Sequence, residues 1–454
     1  MKFHVVGIGG AGMSAVARLL AASAQVSGSD SGRWPMAEAL RPLGVTVHDR
    51  FDPQHVIGAD IVIRSSAYGD ENAEVAAAQA AGIPLWRRHD AWRYIAQGRL
   101  VVGVAGTHGK TTTAAMAWAA VRAGGRDPSL ICGGEVRELG ANAHVGSGPE
   151  LVIEADEYDR TFHALTPAVA IVTNVEHDHI DHFPTREDYA EAFLEFVLRT
   201  LPGGAVVACA DDAGAEDLAR RATERLRGRA DVVTYGTSPL AEVLLSGVRE
   251  EADGTRASLR IDGHTTELAL GVPGVHNLRN AAAAIVAAHR LGVRPDDAAR
   301  ALRTLGLPGR RLETLGEADG IRVVDDYAHH PTEIRASIAA MRARGRGRVI
   351  VCFQPHTASR LRAFFEEFVA ALGEADAAIV AETFSSARER ADREGLARSL
   401  AQRAGATYVA DIDAAARELA DRTAPGDVAL ILGAGDVREA GVRLLELLRS
   451  RTPA

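Results

Sequence analysis

The sequence predicts an α/β protein of three domains, each built on a mostly parallel sheet with flanking helices. The chain has 454 residues, too many for one hydrophobic core, and a typical domain size of about 150 residues gives three domains. Short apolar runs alternate with helical stretches along the chain, as in parallel sheets. Two of these runs end in the glycine-rich turns that are typical of nucleotide-binding strand–helix units.

Bulk composition excludes several classes of protein. Hydrophobic residues make up 47% of the chain and charged residues 24%, as in ordinary globular proteins. The net charge of -9 argues against nucleic-acid binding, and no run approaches the roughly 20 apolar residues of a membrane span. Cys132, Cys209 and Cys352 are far apart in apolar stretches, which indicates reduced core residues. With no signal-peptide pattern at the start, we expect a cytoplasmic protein.

The first predicted strand ends in a glycine turn. A strand over 3–7 runs into Gly7-Ile-Gly-Gly-Ala-Gly12, an apolar helix follows over 13–24, and a second strand ends at Asp30. This pattern is typical of a dinucleotide-binding unit and by itself suggests NAD. The glycines suit any nucleotide that carries a pyrophosphate, and a packing turn without ligand is a further alternative.

Two more strands complete the first domain. The segment 58–67 reads as a strand followed by a small polar turn, and the segment 82–88 as an exposed or edge strand. We therefore expect a Rossmann-like nucleotide domain over 1–98. Its candidate ligand-binding residues at the strand ends are Asp30, Ser65 and Ser66.

A phosphate-binding loop opens the second domain. The segment 100–113 is an apolar strand, a glycine turn and a helix start. Gly106 and Gly109 allow backbone N–H groups to approach a polyphosphate. Lys110 would contact its outer oxygens, and Thr111 would offer a hydroxyl to Mg²⁺.

The match to the Walker A motif is incomplete, because Val104 stands where the first glycine belongs. Lysine usage nevertheless favours the assignment. The chain has only two lysines, Lys2 and Lys110, and arginine fills the other basic positions. A compact ammonium suits a phosphate loop better than a forked guanidinium does.

Two later strands end in polar clusters. The strand starting at Glu150 ends in an acidic run to Asp159, in which Glu154 is a candidate Mg²⁺ ligand if its strand lies beside the phosphate-loop strand. A solvated acidic loop is the alternative. The segment 168–182 ends in histidines and acids that favour an Mg²⁺ or phosphate-orienting element, with a zinc or iron site and a structural turn as alternatives.

The rest of the second domain contains a predicted hairpin over 257–270 and a helix from about 275 to 291. His276, Asn277 and Asn280 stand at the start of that helix, where Asn277 is either a ligand contact or a helix cap. The central domain, of P-loop ATPase type, is expected over 99–308.

A linker with two arginines, Leu307 to Arg311, precedes the third domain, and either arginine could reach a bound triphosphate. Strands predicted at 321–324, 377–381 and 427–435, and a strand that ends in a polar turn over 349–360, alternate with helices. A Rossmann-like α/β domain with a parallel sheet is therefore expected over 309–454.

Taken together, the motifs resemble those of the ATP-dependent Mur ligases, and within them the branch that adds L-alanine. The matching segments keep the family's order over nearly the whole chain. They are 7–13, 106–111, 154–157, 173–181, 276–280, 309–311, 325–331 and 353–356.

The resemblance implies which residues serve each ligand. For ATP they are Gly106, Thr107, His108, Gly109, Lys110, Thr111, Thr112, Asn277, Asn280, Arg311 and Asp326. For the UDP-sugar they are Gly9, Gly10, Ala11, Gly12, Met13, Asp30, Ser65, Ser66, His108 and Glu157. For the amino acid they are Tyr327, His329, His356 and Arg360, with Arg360 suited to a carboxylate. The metal ligands are Thr111, Glu154 and His179, and the catalytic residues are Lys110, His179, Arg311 and His329.

The implied activity is ATP- and Mg²⁺-dependent ligation of L-alanine to the lactyl carboxylate of UDP-N-acetylmuramate through an acyl phosphate, a cytoplasmic step of peptidoglycan synthesis. No nucleic-acid or membrane partner is expected, and the protein would be a monomer or a homodimer. The alternatives are a recycling ligase that attaches a murein tripeptide, an NAD-dependent oxidoreductase and a non-catalytic nucleotide-binding regulator.

Two features depart from the wider family. Several relatives carry a carbamylated lysine after the 173–181 element, but no lysine follows Lys110 here; the L-alanine branch also lacks it. The turn from Thr357 to Arg360 lacks the bulkier or basic residue of other members, which bears on amino-acid selectivity.

Overall fold

The computed structural model describes residues 1–180, 182–251, 254–345, 347–384 and 395–451. Asp181, the last residue of the 173–181 motif, lies outside the described residues. Three separate sheets of five, ten and six strands succeed one another along the chain. The predicted α/β class with three successive units is confirmed.

The first sheet has five parallel strands in the order β3-β2-β1-β4-β5. The glycine turn joins β1 to α1, and the strand predicted at 82–88 is the edge strand β5. The elements are β1 Lys2–Val6, α1 Ala11–Ala21, β2 Gln25–Ser29, α2 Pro35–Glu38, β3 Thr46–His48, β4 Ile61–Arg64, α3 Ala73–Ala80, β5 Leu85–Arg87 and α4 Arg88–Ala96.

The second sheet has ten strands in the order β15-β14-β13-β12-β11-β10-β6-β9-β7-β8. Its strands are β6 Leu100–Ala105, β7 Ser129–Val136, β8 Ala141–His144, β9 Glu150–Glu154, β10 Val169–Val172, β11 Ala205–Cys209, β12 Asp231–Gly236, β13 Val243–Glu251, β14 Gly254–Ile261 and β15 His264–Leu270. Its helices are α5 Lys110–Arg122, α6 Arg186–Val197, α7 Ala213–Leu226, α8 Val275–Arg290 and α9 Pro295–Leu302. The predicted hairpin is the antiparallel pair β14–β15.

Strand order explains where the polar clusters meet. The phosphate-loop strand β6 lies between β9 and β10 and is parallel to both. The carboxyl ends of all three strands therefore lie at the same edge of the sheet, where ligands bind in open α/β sheets. The acidic run after β9 and the polar run after β10 thus flank the phosphate loop on either side.

Helix α5 is buried on all sides, since every residue from Thr111 to Val121 is buried. Its small alanine and threonine side chains let it pack between the sheet and α8. Gly109 immediately before it has φ +78°, and a Cβ there would lie 2.9 Å from Asn280 Oδ1. Glycine is required at this position both by the left-handed backbone and by the close approach of α8.

The third sheet has six strands in the order β16-β17-β21-β18-β19-β20, parallel except for the antiparallel pair β16–β17. Its strands are β16 Glu313–Ala318, β17 Ile321–Asp326, β18 Val349–Phe353, β19 Ala377–Ala381, β20 Thr407–Val409 and β21 Val428–Leu432. Its helices are α10 Pro331–Arg344, α11 Ala358–Ala363, α12 Phe365–Leu372, α13 Leu396–Arg403, α14 Ile412–Arg422 and α15 Arg438–Arg451.

The cysteines and the apolar helices were the subject of two expectations from composition. Cys132, Cys209 and Cys352 are free and buried, as predicted. Across the described parts of the chain, the structure contains no helix that is both long and apolar enough to cross a bilayer.

Candidate active site

A cleft of about 820 Å³ is lined by residues of all three domains. A second cavity of about 320 Å³ adjoins it between the central and C-terminal domains. His108, Gly109, Arg311 and Glu333 line both spaces, so the phosphate loop forms part of the partition between them. A ligand that extends from one cavity into the other must pass this loop.

Lys110 is anchored at the base of the cleft. Its Nζ donates to the carbonyl oxygens of Gly106 at 2.5 Å and Thr107 at 3.1 Å, and to Glu157 Oε1 at 2.9 Å. Burial alone would lower the pKa of Lys110, but the charges of Glu157 and Asp156 outweigh it and raise the pKa. The ammonium is therefore charged and held beside the loop backbone.

Glu157, expected at the UDP-sugar, is fully buried beneath Lys110. Its Oε1 accepts a hydrogen bond from the Tyr189 hydroxyl at 3.3 Å and lies 3.4 Å from His179 Nε2. Burial opposes protonation of His179, but Glu157 and Asp178 raise its pKa. The structure thus places Glu157 as the counter-ion of Lys110 and His179.

Thr111 and Glu154 bring oxygen ligands together at the wall of the cleft. The Thr111 hydroxyl donates to Glu154 Oε1 at 3.1 Å, and Glu154 Oε2 accepts from the Gly133 N–H at 2.5 Å. Burial raises the pKa of Glu154 despite the opposing charge of Lys110. A half-buried carboxylate with a raised pKa is stabilised in its charged form by a further cation, and a carboxylate with a hydroxyl suits Mg²⁺.

His179 lines the same cleft, with a left-handed backbone at φ +50°. Of its neighbours, His177 instead donates from its Nε2 to the Phe183 carbonyl oxygen at 2.8 Å. His179 and Glu154 both line this cleft, and within the described part of the chain neither belongs to a close group of three ligand side chains. Each is a candidate metal ligand.

Asn277 and Asn280 line the second cavity from the first turns of α8. Asn277 Nδ2 donates to the Pro273 carbonyl at 2.7 Å, and Asn280 Nδ2 lies 3.4 Å from Asn277 Oδ1. Gly274, not Asn277, occupies the N-cap position, so the cap alternative is wrong. Thr112 also lines this cavity.

The two arginines of the linker behave differently. Arg310 donates to Asp325 at 3.1 Å and to the carbonyl oxygens of Gly433 and Gly435 at 2.7 and 3.1 Å, which anchors the linker to the C-terminal sheet. Arg311 stacks over Tyr327 at 5.1 Å and makes no hydrogen bond to any residue that the structure describes. Its guanidinium lines both cavities and is available to an anion.

Asp326 lies at the end of β17 beside the second cavity. Its carboxylate accepts hydrogen bonds from the N–H groups of Leu312 at 2.9 Å and Ala328 at 2.8 Å. Burial raises its pKa to about 6 against the opposing charge of Arg311. The carboxylate thus fixes the linker to β17 and contributes negative charge to the cavity wall.

Arg360 lies at the far end of the cleft and is paired with the central domain. Its Nε and Nη2 each donate to one oxygen of Asp178 at 3.0 Å, and both side chains are buried. Burial opposes the charge on Arg360, but Asp178 raises its pKa and is itself held at a lowered pKa. Arg360 has five N–H donors, so this pair leaves three for another acceptor.

Three aromatic rings from the C-terminal domain surround this end of the cleft. Tyr327, His329 and His356 follow one another, with centroids 5.3 Å apart between Tyr327 and His329 and 6.1 Å apart between His329 and His356. Burial lowers the pKa of His329 to about 3, so its ring is neutral at physiological pH. The residues expected at the amino acid therefore form one group.

The first domain contributes its glycine turn to the cleft. Ala11 and Gly12 line it, whereas Met13 is buried behind them.

Gly9 donates its N–H to Asp30 Oδ2 at 2.7 Å, and a Cβ on Gly9 would lie 2.4 Å from the Trp34 ring. Gly10 precedes α1 as its N-cap residue. Asp30 is thus buried and supports the turn itself, also accepting from the Tyr68 hydroxyl at 2.8 Å.

Ser65 and Ser66 line a separate cavity of about 240 Å³. Arg64, Arg87 and Arg88 belong to the same wall and outnumber its one carboxylate, Asp159. Arg88 joins the two domains by donating to Asp156 at 2.6 Å. The sequence analysis did not single out Arg88, although its position directly after β5 is a strand-end signal.

His108 connects the phosphate loop to the C-terminal domain. Its Nε2 lies 2.9 Å from Glu176 Oε2 and its Nδ1 lies 3.2 Å from Glu333 Oε1. Burial would lower the pKa of His108, but these two carboxylates outweigh it and raise the pKa to about 9. Thr332 also donates to Glu176 at 2.7 Å. The sequence analysis missed Glu333, which approaches His108 only after the domains dock.

Family models match nearly the whole chain. The model described as Mur ligase family, catalytic domain, matches residues 2–99. The Mur ligase middle domain matches 104–288, and the Mur ligase, glutamate ligase domain, matches 310–435.

Similar full-length proteins carry one activity in their names. The UDP-N-acetylmuramate–L-alanine ligase of Kineococcus radiotolerans is 46% identical over 99% of this chain and 97% of that protein. The ligase of the same name from Roseiflexus sp. is 40% identical over 99% and 100%.

Two solved structures cover all of this chain. The UDP-N-acetylmuramate-alanine ligase MurC of Thermotoga maritima superposes with a TM-score of 0.80 at 28% identity, with 100% of both chains covered. A murein peptide ligase of Psychrobacter arcticus superposes at 0.75 with 23% identity and the same coverage, which shows a shared fold.

Proposed function

The chain belongs to the Mur ligase family, and from this premise we propose that it joins L-alanine to UDP-N-acetylmuramate at the expense of ATP. The observation that carries the proposal is one cleft in which a phosphate loop, Arg311 and the buried Arg360 line the same space. The names of the full-length relatives support the choice of L-alanine. The reaction is an acid–amino-acid ligation of peptidoglycan synthesis.

The chemistry requires activation of a carboxylate, which is a poor electrophile in water. In the proposed reaction a lactyl carboxylate oxygen bonds to the γ-phosphorus of ATP, and the bond between that phosphorus and the β,γ-bridging oxygen breaks to release ADP. The amine of alanine then attacks the carbonyl carbon of the acyl phosphate and displaces phosphate. Phosphoryl transfer depends mainly on positioning and charge. Lys110 and Arg311 supply positive charge at the loop and the partition, with the loop N–H groups at the phosphates.

We place ATP across the partition. Its phosphates would lie along Gly106 to Thr112, and its base in the cavity lined by Asn277 and Asn280. Asp326 and His108 would border the nucleotide from either side.

Mg²⁺ is proposed at Thr111 and Glu154, with His179 marking a second position. The paired oxygens and the raised pKa of Glu154 support this. When bound, the ion would neutralise charge on the transferring phosphoryl group. The protein's own contribution is to hold Glu154 in place through the Gly133 N–H.

The amino acid is placed between His329, His356 and Arg360. The remaining N–H donors of Arg360 suit a carboxylate, and Asp178 keeps the guanidinium oriented. The neutral ring of His329 lies beside this position without adding positive charge to it.

The UDP-sugar is placed between the glycine turn over 9–13 and the cationic cavity at Ser65 and Ser66. Arg88 lines both that cavity and the cleft, so it would lie along the path of the diphosphate. The lactyl carboxylate would then reach Lys110.

The whole chain supports proposals on its domain limits, its oligomeric state and its location. We propose domain limits at 98/99 and 308/309, since the sheets fall on either side of them. One chain lines all three ligand positions, which supports a monomer or a dimer with independent sites. The three buried free cysteines support a reducing location such as the cytoplasm.

A coupled assay of ADP release tests the proposed activity. The enzyme is supplied with ATP, Mg²⁺ and UDP-N-acetylmuramate, and either L-alanine or the murein tripeptide is added. We expect ADP release with L-alanine that stops when the sugar nucleotide is omitted. Release with tripeptide alone would identify a recycling ligase, and binding of ATP without any release would identify a regulator. Reduction of NAD, added in a separate mixture without ATP, would instead identify an oxidoreductase.

A further inference from the structure

A group of metal-ligand side chains lies where the phosphate loop meets the first turn of α10. His108, Glu176 and His330 each offer one ligand atom, and these atoms lie within 4.8 Å of one another. Within the described ranges no other set of three His, Cys, Asp or Glu residues meets this condition. His108 and Glu176 belong to the central domain, and His330 belongs to the C-terminal domain, so the group spans the domain contact.

The spacing is close to that of a metal site. Glu176 Oε2 lies 2.9 Å from His108 Nε2 and 3.9 Å from His330 Nδ1. Ligand atoms about 2.0–2.1 Å from a tetrahedral zinc ion are about 3.3 Å from each other. The separation of Glu176 from His330 would have to close by about 0.6 Å, and that of the two histidines, which is at most 4.8 Å, by up to about 1.5 Å.

Two neighbours support the group in the way that outer residues support metal ligands. Glu333 Oε1 lies 3.2 Å from His108 Nδ1, the ring nitrogen that faces away from Glu176. The Thr332 hydroxyl donates to Glu176 Oε1 at 2.7 Å, which leaves Oε2 facing the two histidines. A ligating histidine commonly donates its other N–H to a carboxylate, and a ligating carboxylate is itself hydrogen-bonded.

His330 provides an independent indication. Only 2% of the residue is exposed, and its Nε2 is buried with no hydrogen-bond partner among the described residues. Its Nδ1 accepts from the Thr332 N–H at 3.4 Å, a long contact at the start of α10. Ligation through Nδ1, the nitrogen that faces Glu176, would replace this long contact with Thr332 by a stronger bond to the metal.

We propose that His108, Glu176 and His330 bind a divalent transition-metal ion of the Zn²⁺ class, separate from Mg²⁺ at Thr111 and Glu154. Two imidazoles and one carboxylate favour Zn²⁺ over Mg²⁺, which prefers oxygen ligands. The adjoining cavity of about 320 Å³, which His108 and Glu176 line, has room for a water as fourth ligand. The bound ion joins the phosphate loop to α10, and it therefore inhibits turnover by fixing His108 and the docked domain.

Calorimetric titration of the full chain with Zn²⁺ in excess Mg²⁺ tests this site. We expect one Zn²⁺ per chain, and at least about ten-fold weaker binding in His330→Asn and in Glu176→Gln. Asparagine at position 330 keeps a helix N-cap, and glutamine at 176 keeps an acceptor for Thr332. The matched control is His144→Asn, which removes a histidine whose Nε2 lies 2.9 Å from Asp127 at a site remote from the group.

Two further results decide the proposal. Co²⁺ in place of Zn²⁺ should give the visible absorption of a low-coordinate site in the wild-type protein and lose it in either variant. Zn²⁺ should slow ADP release by a larger factor in wild type than in His330→Asn, each compared with its own rate without Zn²⁺. Absence of Zn²⁺ binding in excess Mg²⁺, or equal affinity in wild type and both variants, would overturn the site while leaving the ligase activity untouched.

Discussion

At the scale of single residues, the phosphate loop depends on one ammonium. Lys110 is the only lysine after position 2, and its Nζ is enclosed by two loop carbonyl oxygens and Glu157. A guanidinium is larger and planar, and would not fit among these partners without displacing them.

We therefore expect Lys110→Ala and Lys110→Arg to lower kcat by about 10³-fold, because charge at the transferring phosphoryl group is lost or misplaced. Steady-state ADP release measures the effect, and circular dichroism verifies the fold. Lys2→Ala, at an exposed position, is the control and should retain full activity. Turnover near the wild-type rate in both Lys110 variants would remove the phosphate-loop assignment.

Residues that follow a strand could be predicted, whereas those that act across domains could not. Lys110, Thr111 and Glu154 are recognisable because they stand at the end of an apolar strand or in the turn and helix start that follow one. Asp178 and Arg360 are 182 positions apart, and His108 and Glu333 are 225 apart. Their pairing arises from docking of separately folded units, which no local pattern encodes.

Arg360 gives a prediction about substrate affinity. Lysine at this position keeps the charge but loses the planar fork that serves Asp178 and a carboxylate together. We expect Arg360→Lys to raise KM for L-alanine about ten- to hundred-fold with little change in KM for ATP. An increase of this factor corresponds to the free energy of one charge-assisted hydrogen bond. Arg362→Lys, exposed on the same helix, serves as control. Equal increases in both KM values would argue against a direct contact with the amino acid.

At the scale of elements, the position of each strand in its sheet determines which polar residues lie beside the phosphate loop. Strand existence was predictable from apolar runs, and β6, β9 and β10 were all expected. Their order was not, because a strand pattern carries no information about its neighbours. The short strands β16 and β20 were missed, since three to six residues with half-exposed side chains lack an apolar signal.

Helix α3 carries a buried carboxylate that holds the first domain together. Glu74 is fully buried, and its oxygens lie 3.1 Å from His4 Nε2 and 2.8 Å from His55 Nδ1. It also accepts from Ser29 at 2.6 Å. Burial would raise the pKa of Glu74, but the hydrogen bonds from His4 and Ser29 lower it. The carboxylate connects α3 to β1 and β2.

We expect Glu74→Gln to destabilise the protein by about 3 kcal/mol at neutral pH, since one of the two buried oxygens that accept from His4, His55 and Ser29 becomes an NH₂ group that cannot accept. A carboxyl with a lowered folded pKa contributes stability above its unfolded pKa and loses it as pH falls, so the difference should shrink below about pH 4.5. Urea unfolding followed by tryptophan fluorescence at pH 7 and pH 4 measures it. Glu71→Gln, nearby and exposed, is the control. A pH-independent difference would contradict the assigned charge state.

At the scale of the whole molecule, the C-terminal domain is docked on the central domain through polar contacts. Asp178 binds Arg360, Glu176 binds Thr332, and His108 faces Glu333. Such contacts are specific when made and are lost together when the domains separate. Closure of this kind brings ligands held by different domains within reach of one another.

Asp178→Asn tests the docking, because it removes the charge from a buried pair whose disruption typically costs 3–5 kcal/mol. We expect small-angle scattering of the unliganded variant to show a larger mean radius of gyration than wild type. Glu374→Gln, in a half-exposed pair with Arg335, should leave the profile unchanged. Superimposable profiles for Asp178→Asn and wild type would show that this pair does not hold the domains.

The most direct test of the proposed reaction follows oxygen from the sugar carboxylate. UDP-N-acetylmuramate labelled with ¹⁸O in its lactyl carboxylate is turned over with ATP and L-alanine, and the released phosphate is analysed by mass spectrometry. If the carboxylate attacks the γ-phosphorus and alanine then displaces phosphate, one ¹⁸O atom is transferred to each phosphate released. Phosphate without ¹⁸O, or no L-alanine-dependent release of phosphate at all, would contradict the proposed ligation.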